Sequence, residues 1–307
     1  MGSVKASFQS RMNNLRSLNS LRLSEIDTLA FAGGGNRCWW QGGALTHLLS
    51  RGMSLPRQLV GTSAGAAVAT SCVTADPEFA LNACIDLYAT NQSIFNWTAL
   101  SRGKFQFAHQ HIYPAWIESF LNPKTFSALE KSGTKIKVGV TRPAPWLGMA
   151  GSVAFGTLAY LIDKHIWHSI HPRLPKLFGL RQAFIDLDQC STVSDAHSVL
   201  CAAAAAPPIL QSRFVSNFRA IDGGYTDNAP IHKQDQDEQR RTLVLLTRNY
   251  PNLPQMFNWR GRNYWQPSKR VPVSTWDCTT HTTVRDAFDL GKMDAIKALD
   301  TGILKIA

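Results

Sequence analysis

A serine hydroxyl becomes a useful nucleophile when a turn holds it clear of the backbone and a neighbouring base takes its proton. Gly61-Thr62-Ser63-Ala64-Gly65 has the spacing for the first requirement. In a Gly-x-Ser-x-Gly elbow, a strained strand-to-helix turn lifts the serine above the sheet. Gln58 to Val60 supplies the preceding strand, and Ala64, Ala66 and Ala67 begin a small-residue helix that can approach the sheet closely. The bare pattern also arises by chance, so its companions decide. Gly33-Gly34-Gly35-Asn36-Arg37 lies between the apolar run Leu29 to Phe31 and a helical stretch. Unobstructed glycine amides at a helix N-terminus stabilise an anion, although a plain glycine-rich turn has the same composition. Nucleotide readings fail: a dinucleotide fingerprint needs glycine where Cys38 stands, and a P-loop needs Gly-Lys-Ser/Thr. Ile221-Asp222-Gly223-Gly224-Tyr225, taken alone, reads first as a hairpin turn. It gains weight from its place after an alanine-rich helix that ends in Pro207 and Pro208.

These residues need a scaffold that delivers them to one place. From Ile26 onward, short apolar runs alternate with helical stretches, which predicts a mostly parallel α/β sheet. The strand candidates are Thr28 to Ala32, Gln58 to Gly61, Lys135 to Thr141 and Thr242 to Thr247. Helices are predicted at Trp39 to Ser50, Ala64 to Val73, Glu78 to Thr90, Tyr113 to Phe120, Val193 to Ala206 and Val284 to Leu299. No tandem repeat or Pro/Ser linker divides the 307 residues, so residues 25–307 read as one domain with an apolar insertion at about 143–181. Residues 1–24 read as a basic arm, with Lys5, Arg11, Arg16 and Arg22, and with Leu15, Leu18 and Leu21 at a helix-like spacing.

In the order glycine loop, serine elbow and Asp-Gly-Gly, the chain resembles the patatin-like phospholipases, over about Ile26 to Arg248. The resemblance implies a three-layer α/β/α fold and a serine lipid acyl hydrolase of phospholipase A or lysophospholipase type. It would cleave carboxylic esters of membrane glycerolipids with a Ser-Asp dyad and no cofactor. Carried over residue by residue, Ser63 is the nucleophile and Asp222 the base. Gly33, Gly34 and Gly35 line the oxyanion hole, Arg37 closes its motif, and Gly61, Gly65, Gly223 and Gly224 support the two turns. A Ser-Asp-His triad stays open through His232 or His281, the histidines that follow Asp222. A membrane lipid-binding protein without turnover is the alternative of a different class. The insertion after Val140 and the aromatic stretch after Tyr250 depart from a minimal pattern of the family, which leaves substrate presentation open.

Composition bears on the partner. A net charge of +11 favours an anionic lipid surface or nucleic acid, and charged residues, at 17%, are sparse for a fully solvated surface. Pro143 to Ile162 is uncharged. A membrane-spanning helix, a core helix and an interfacial lid compete for it, and its glycines weaken the first. Trp146, Tyr160 and Trp167 bracket the run and Lys164, Arg173, Lys176 and Arg181 follow, which favours the lid with those three aromatics as membrane contacts. Asn249 to Trp276 reads as irregular, aromatic and basic, either interfacial or able to stack single-stranded nucleic acid. Without a nucleic-acid motif beside it, that partner is disfavoured. Six cysteines without a Cys-x-x-Cys pair, and a start lacking an apolar signal core or a myristoylation pattern at Ala6, point to reduced thiols and a cytoplasmic, membrane-peripheral protein. His165, His168 and His171 lack metal-ligand spacing, so no metal is expected.

Overall fold

Four nearly unbroken apolar runs carry the architecture, because a strand covered on both faces has no polar side to show. In the computed structural model, which describes residues 15–100, 102–103, 106–162, 166–167 and 169–307, they form β3 (Thr28–Phe31), β4 (Gln58–Thr62), β5 (Lys135–Arg142) and β9 (Thr242–Leu245). These strands are parallel in the order β9-β3-β4-β5. Successive side chains alternate between two cores: Leu29, Phe31, Leu59, Leu243 and Leu245 face one, and Ala30, Val60, Val244 and Leu246 face the other. With helices on the flanks of the sheet, this is a three-layer α/β/α fold.

Each predicted helix forms. The longer helices are α1 (Trp39–Ser50), α2 (Ala64–Thr74), α3 (Pro77–Ala89), α4 (His109–Phe120), α5 (Pro123–Lys131), α6 (Gly148–Ile162), α7 (Val193–Ala203) and α8 (Val284–Asp300); α5 was not foreseen, and α6 lies in the Pro143 to Ile162 run, where a helix was one of the competing readings. α7 stops three residues short of Ala206, since a following proline disfavours helical backbone at the residue before it. α1 and α8 pack backbone to backbone through Gly43 and Gly291. A β-carbon on either would stand 1.9 Å from a carbonyl oxygen of the other helix.

Three expectations change. The stretch Asn249 to Trp276 is not irregular: β10 (Met256–Trp259) and β11 (Arg262–Trp265) form a hairpin that extends the sheet beside β9. Tyr250, Phe257, Trp259, Tyr264 and Trp265 are buried, because alternate hairpin residues fill the two cores. An interfacial or base-stacking role for these rings is lost with their exposure. Second, the spacing of Leu15, Leu18 and Leu21 builds no helix. Arg16–Ser17 (β1) pairs with β10, and Leu21–Arg22 (β2) pairs with Leu304–Lys305 (β12) near the C-terminus. Residues 1–14 lie outside the described part. Third, Pro143 to Ile162 contains a 15-residue helix, α6, and no helix among the described residues is long and apolar enough to cross a membrane.

Candidate active site

Register along β5 explains why two residues 159 apart in sequence touch. β6 (Arg181–Asp186) covers one edge of β5 from Lys137 to Arg142. The other edge is shared end to end: β4 pairs with it up to Thr62↔Gly139, and β8 (Phe218–Asp222), the second strand of a hairpin with β7 (Arg213–Val215), begins its pairing at Asp222↔Val140. The chain therefore leaves the sheet at Ser63 where Asp222 arrives. Gly139 makes the approach possible. A β-carbon there would meet Thr62 Oγ1 at 2.8 Å, and one at Gly223 would meet the Gly139 carbonyl oxygen at 2.4 Å.

Ser63 sits at φ 54°, ψ −139°, a conformation L-residues avoid and the mark of a strained elbow. The turn holds because glycine flanks it. At Gly61 a β-carbon would lie 2.3 Å from Ala66 Cα, and at Gly65 2.6 Å from the Ala32 oxygen. Ser63 Oγ donates to Asp222 Oδ2 at 2.6 Å, and Gly224 N–H donates to Asp222 Oδ1 at 2.7 Å. Burial raises the Asp222 pKa from 3.8 to about 6, against the lowering effect of these two bonds. A buried carboxylate poised near neutrality and bonded directly to a serine hydroxyl has the geometry and basicity of a general base.

The glycine loop lies against this pair: a β-carbon on Gly33 would come within 3.1 Å of Ser63 Cβ. The three glycines are not equivalent. Gly33 N–H already donates to Asn228 O at 2.7 Å, whereas the amides of Gly34 and Gly35 have no partner among the described residues. The loop carbonyls are turned away and held, Gly33 O by Thr247 Oγ1 at 2.6 Å and Gly34 O by Arg37 Nε at 3.2 Å. Arg37 thus fixes the loop that α1 follows, and the N-terminal end of that helix adds positive potential where an oxyanion would form.

The family model for patatin-like phospholipase matches residues 29–233. The chain belongs to the patatin-like phospholipase family. No curated protein matches the chain closely enough to add to that assignment. The matched span of the patatin-like domain contains the glycine loop, Ser63 and Asp222, and membership makes lipid acyl hydrolysis its general activity.

Within the patatin-like site, no described histidine bonds to Ser63 or Asp222. His232 Nε2 lies 3.2 Å from Gln58 Nε2 at the start of β4, about 13 Å along the strand from the elbow. His281 is exposed on a loop. His171 is held between Asp227 Oδ2 (2.8 Å) and Tyr264 Oη (2.9 Å), while His165 and His168 fall outside the described residues. Sequence reasoning missed Gly139, Asn228 and Thr247. For Gly139 a signal existed, since an isolated glycine inside a strand marks close backbone approach.

α6 packs on the turn that follows Asp222. Its small residues Ser152, Gly156 and Ala159 are buried, and a β-carbon on Gly156 would stand 2.6 Å from Tyr225 Cδ1. Phe155, Leu158 and Leu161 face outward, joined by Ile166, Trp146 at 69% exposure and Leu177 at 78%. Of the three aromatics expected at a membrane, Trp146 is exposed, while Tyr160 and Trp167 are partly covered.

Proposed function

We propose that the protein is a phospholipase A or lysophospholipase type enzyme that hydrolyses carboxylic esters of membrane glycerolipids through a Ser63-Asp222 dyad. The single observation that carries this reading is the 2.6 Å bond from the strained Ser63 hydroxyl to a buried aspartate whose pKa is raised to about 6. Asp222 takes the Ser63 proton as Oγ attacks the ester carbonyl. The carbonyl oxygen, now anionic, is received by the free amides of Gly34 and Gly35. Such a donor is typically worth about 3 to 4 kcal/mol of barrier. Gly33 contributes its backbone position and not its N–H. Protonated Asp222 then returns the proton to the departing alkoxide, and water activated by the same carboxylate releases the fatty acid from Ser63. The triad alternative is disfavoured by the remoteness of His232 and the exposure of His281.

Substrate reaches the site from an anionic lipid surface, in this reading. The outward face of α6 with Trp146 and Leu177 is the apolar contact. Exposed Arg142, Arg173, Lys176 and Arg181 around it attract anionic headgroups, each juxtamembrane cation adding about 1 kcal/mol. The test is incubation of the purified chain with phosphatidylglycerol-containing vesicles and identification of the products. Fatty acid and lysolipid, absent with Ser63→Ala, support the proposal. Binding without release under any condition indicates a lipid-binding protein without turnover and rejects it.

A further inference from the structure

Gly33 N–H donates to Asn228 O at 2.7 Å, so the glycine loop is only as well placed as the turn that carries Asn228. Two bonds shape that turn from within: Asp227 N–H donates to Gly223 O at 3.0 Å, and Ala229 N–H donates to Asp227 Oδ1 at 3.0 Å. The other carboxylate oxygen reaches outside the turn, to His171. Asp227 Oδ2 lies 2.8 Å from His171 Nδ1, and His171 Nε2 lies 2.9 Å from Tyr264 Oη. Burial pushes the Tyr264 phenol far above its ordinary value, so its O–H persists as a donor. With the imidazole neutral, Nε2 accepts from Tyr264 and the proton on Nδ1 is donated to Asp227. The ring is held as well as bonded: it lies nearly parallel to Trp259, with 11° between the planes and 5.8 Å between centroids. Trp259 and Tyr264 belong to β10 and β11, the hairpin that extends the sheet beside β9. The side chains of His171 and Asp227 are 15% and 7% exposed, so water competes little for either. On both sides of His171, Ile170 and Pro172 line a small recess against the glycine loop, together with Gly33, Arg37 and Asn228.

Groups that act on reacting atoms keep their aim through bonds made behind them. We propose that His171 is a positioning residue for the oxyanion hole: through Asp227 it fixes the turn that holds Gly33 N–H, and so keeps the amides of Gly34 and Gly35 directed at the oxyanion. His171 itself touches no reacting atom. The aromatic hairpin thereby gains a use beyond filling the cores, as the rigid support against which the imidazole is set. Oxyanion donors act through their placement, and a displacement of about 1 Å can cost roughly a hundredfold in rate. The inference rests on Ser63 and the glycine loop acting as proposed above.

The two ring nitrogens can be mimicked one at a time. The amide of His171→Asn stands where Nδ1 was and keeps a donor on Asp227, while that of His171→Gln stands where Nε2 was and keeps an acceptor for Tyr264. Each variant loses one of two buried bonds, so both should melt below wild type. Hydrolysis of 4-nitrophenyl butanoate is followed as kcat/KM across pH. His171→Asn should stay within about threefold of wild type, and His171→Gln should fall by roughly tenfold to a hundredfold. The pH midpoint near 6 should be shared by all three proteins, since Asp222 keeps both Ser63 and Gly224 as partners. Equal losses in the two variants, or a greater loss in His171→Asn, overturn the proposal. A midpoint that moves in His171→Gln also overturns it, by placing the effect at the base. Should either histidine variant not fold, Tyr264→Phe and Asp227→Ala make the same comparison from the partners' side: activity kept in the first and lost in the second supports the proposal, and equal losses overturn it. Ser63-dependent cleavage with equal losses sinks only this inference. Cleavage that persists in Ser63→Ala removes the nucleophile assignment and this inference with it.

Discussion

Asp222 is pulled in two directions, up by burial and down by the hydroxyl and amide that bond it, and burial wins. Activity should follow the ionised form, so kcat/KM should rise with pH through about 6 and then level off. Stability should run the other way. The unfolded chain releases this proton near 3.8 and the folded chain near 6, so folding takes up a proton between those values. The stability from the protonated group is complete below the lower value and lost as pH rises through the higher one. Asp222→Asn, which carries no charge to bury, should therefore melt higher than wild type at pH 8 by an amount on the order of 3 kcal/mol, and at pH 3 the difference should vanish. The same variant should lose roughly a hundredfold to ten-thousandfold in kcat. Thermal melts at the two pH values and a pH–rate profile check both signs. At this scale the turns that bring Ser63 and Asp222 into contact were legible, because glycine spacing announces a turn whatever the rest of the chain does. The division of labour inside the glycine loop was not, because it depends on Asn228 bonding Gly33 N–H from 195 residues away.

At the scale of elements, α6 presents small residues inward and large apolar ones outward, the reverse of an ordinary amphipathic helix. Close approach to Tyr225 explains the inner face, and the outer one is an exposed apolar surface of the kind that marks an interaction site. Gly156→Ala should cost about 1 to 3 kcal/mol, since its β-carbon overlaps the Tyr225 ring. It should lower kcat as well, by shifting the turn that carries Asp222. Gly151→Ala makes a milder comparison: its β-carbon meets Leu147 Cβ at 3.1 Å, a contact that a shift of a few tenths of an ångström relieves, and alanine favours the helix by about 1 kcal/mol. Equal melting temperatures for the two variants would contradict the packing argument. The apolar run 143–162 was visible in the sequence, but not which face would be covered, because glycine spacing fixes a face only once the partner ring is known. The aromatic hairpin was misread for a related reason. Tyr264 and Trp265 have rings on opposite faces of a strand, and only the existence of a sheet beside β9 buries both.

Across the whole molecule, a charge of +11 and an apolar face beside the site should act together. Sedimentation with vesicles should strengthen as anionic lipid replaces neutral lipid and weaken only partly at high salt, since screening acts on the cations and not on the exposed apolar side chains. Replacing Phe155, Leu158 and Leu161 by Gln should reduce vesicle sedimentation and vesicle hydrolysis far more than hydrolysis of a soluble ester. Parallel loss of both activities with a lower melting temperature would return the outer face of α6 to the core. The parallel sheet and its helices were readable from periodicity, since residues buried on both faces leave little else to fit. The proposed chemistry turns on one contact, and mapping a fluorophosphonate adduct by mass spectrometry addresses it most directly. The adduct should sit on Ser63 in wild type, be absent in Ser63→Ala and form far more slowly in Asp222→Asn, with His232→Ala and His281→Ala labelled at the wild-type rate. An adduct on another serine, or undiminished labelling of Asp222→Asn, would contradict the dyad.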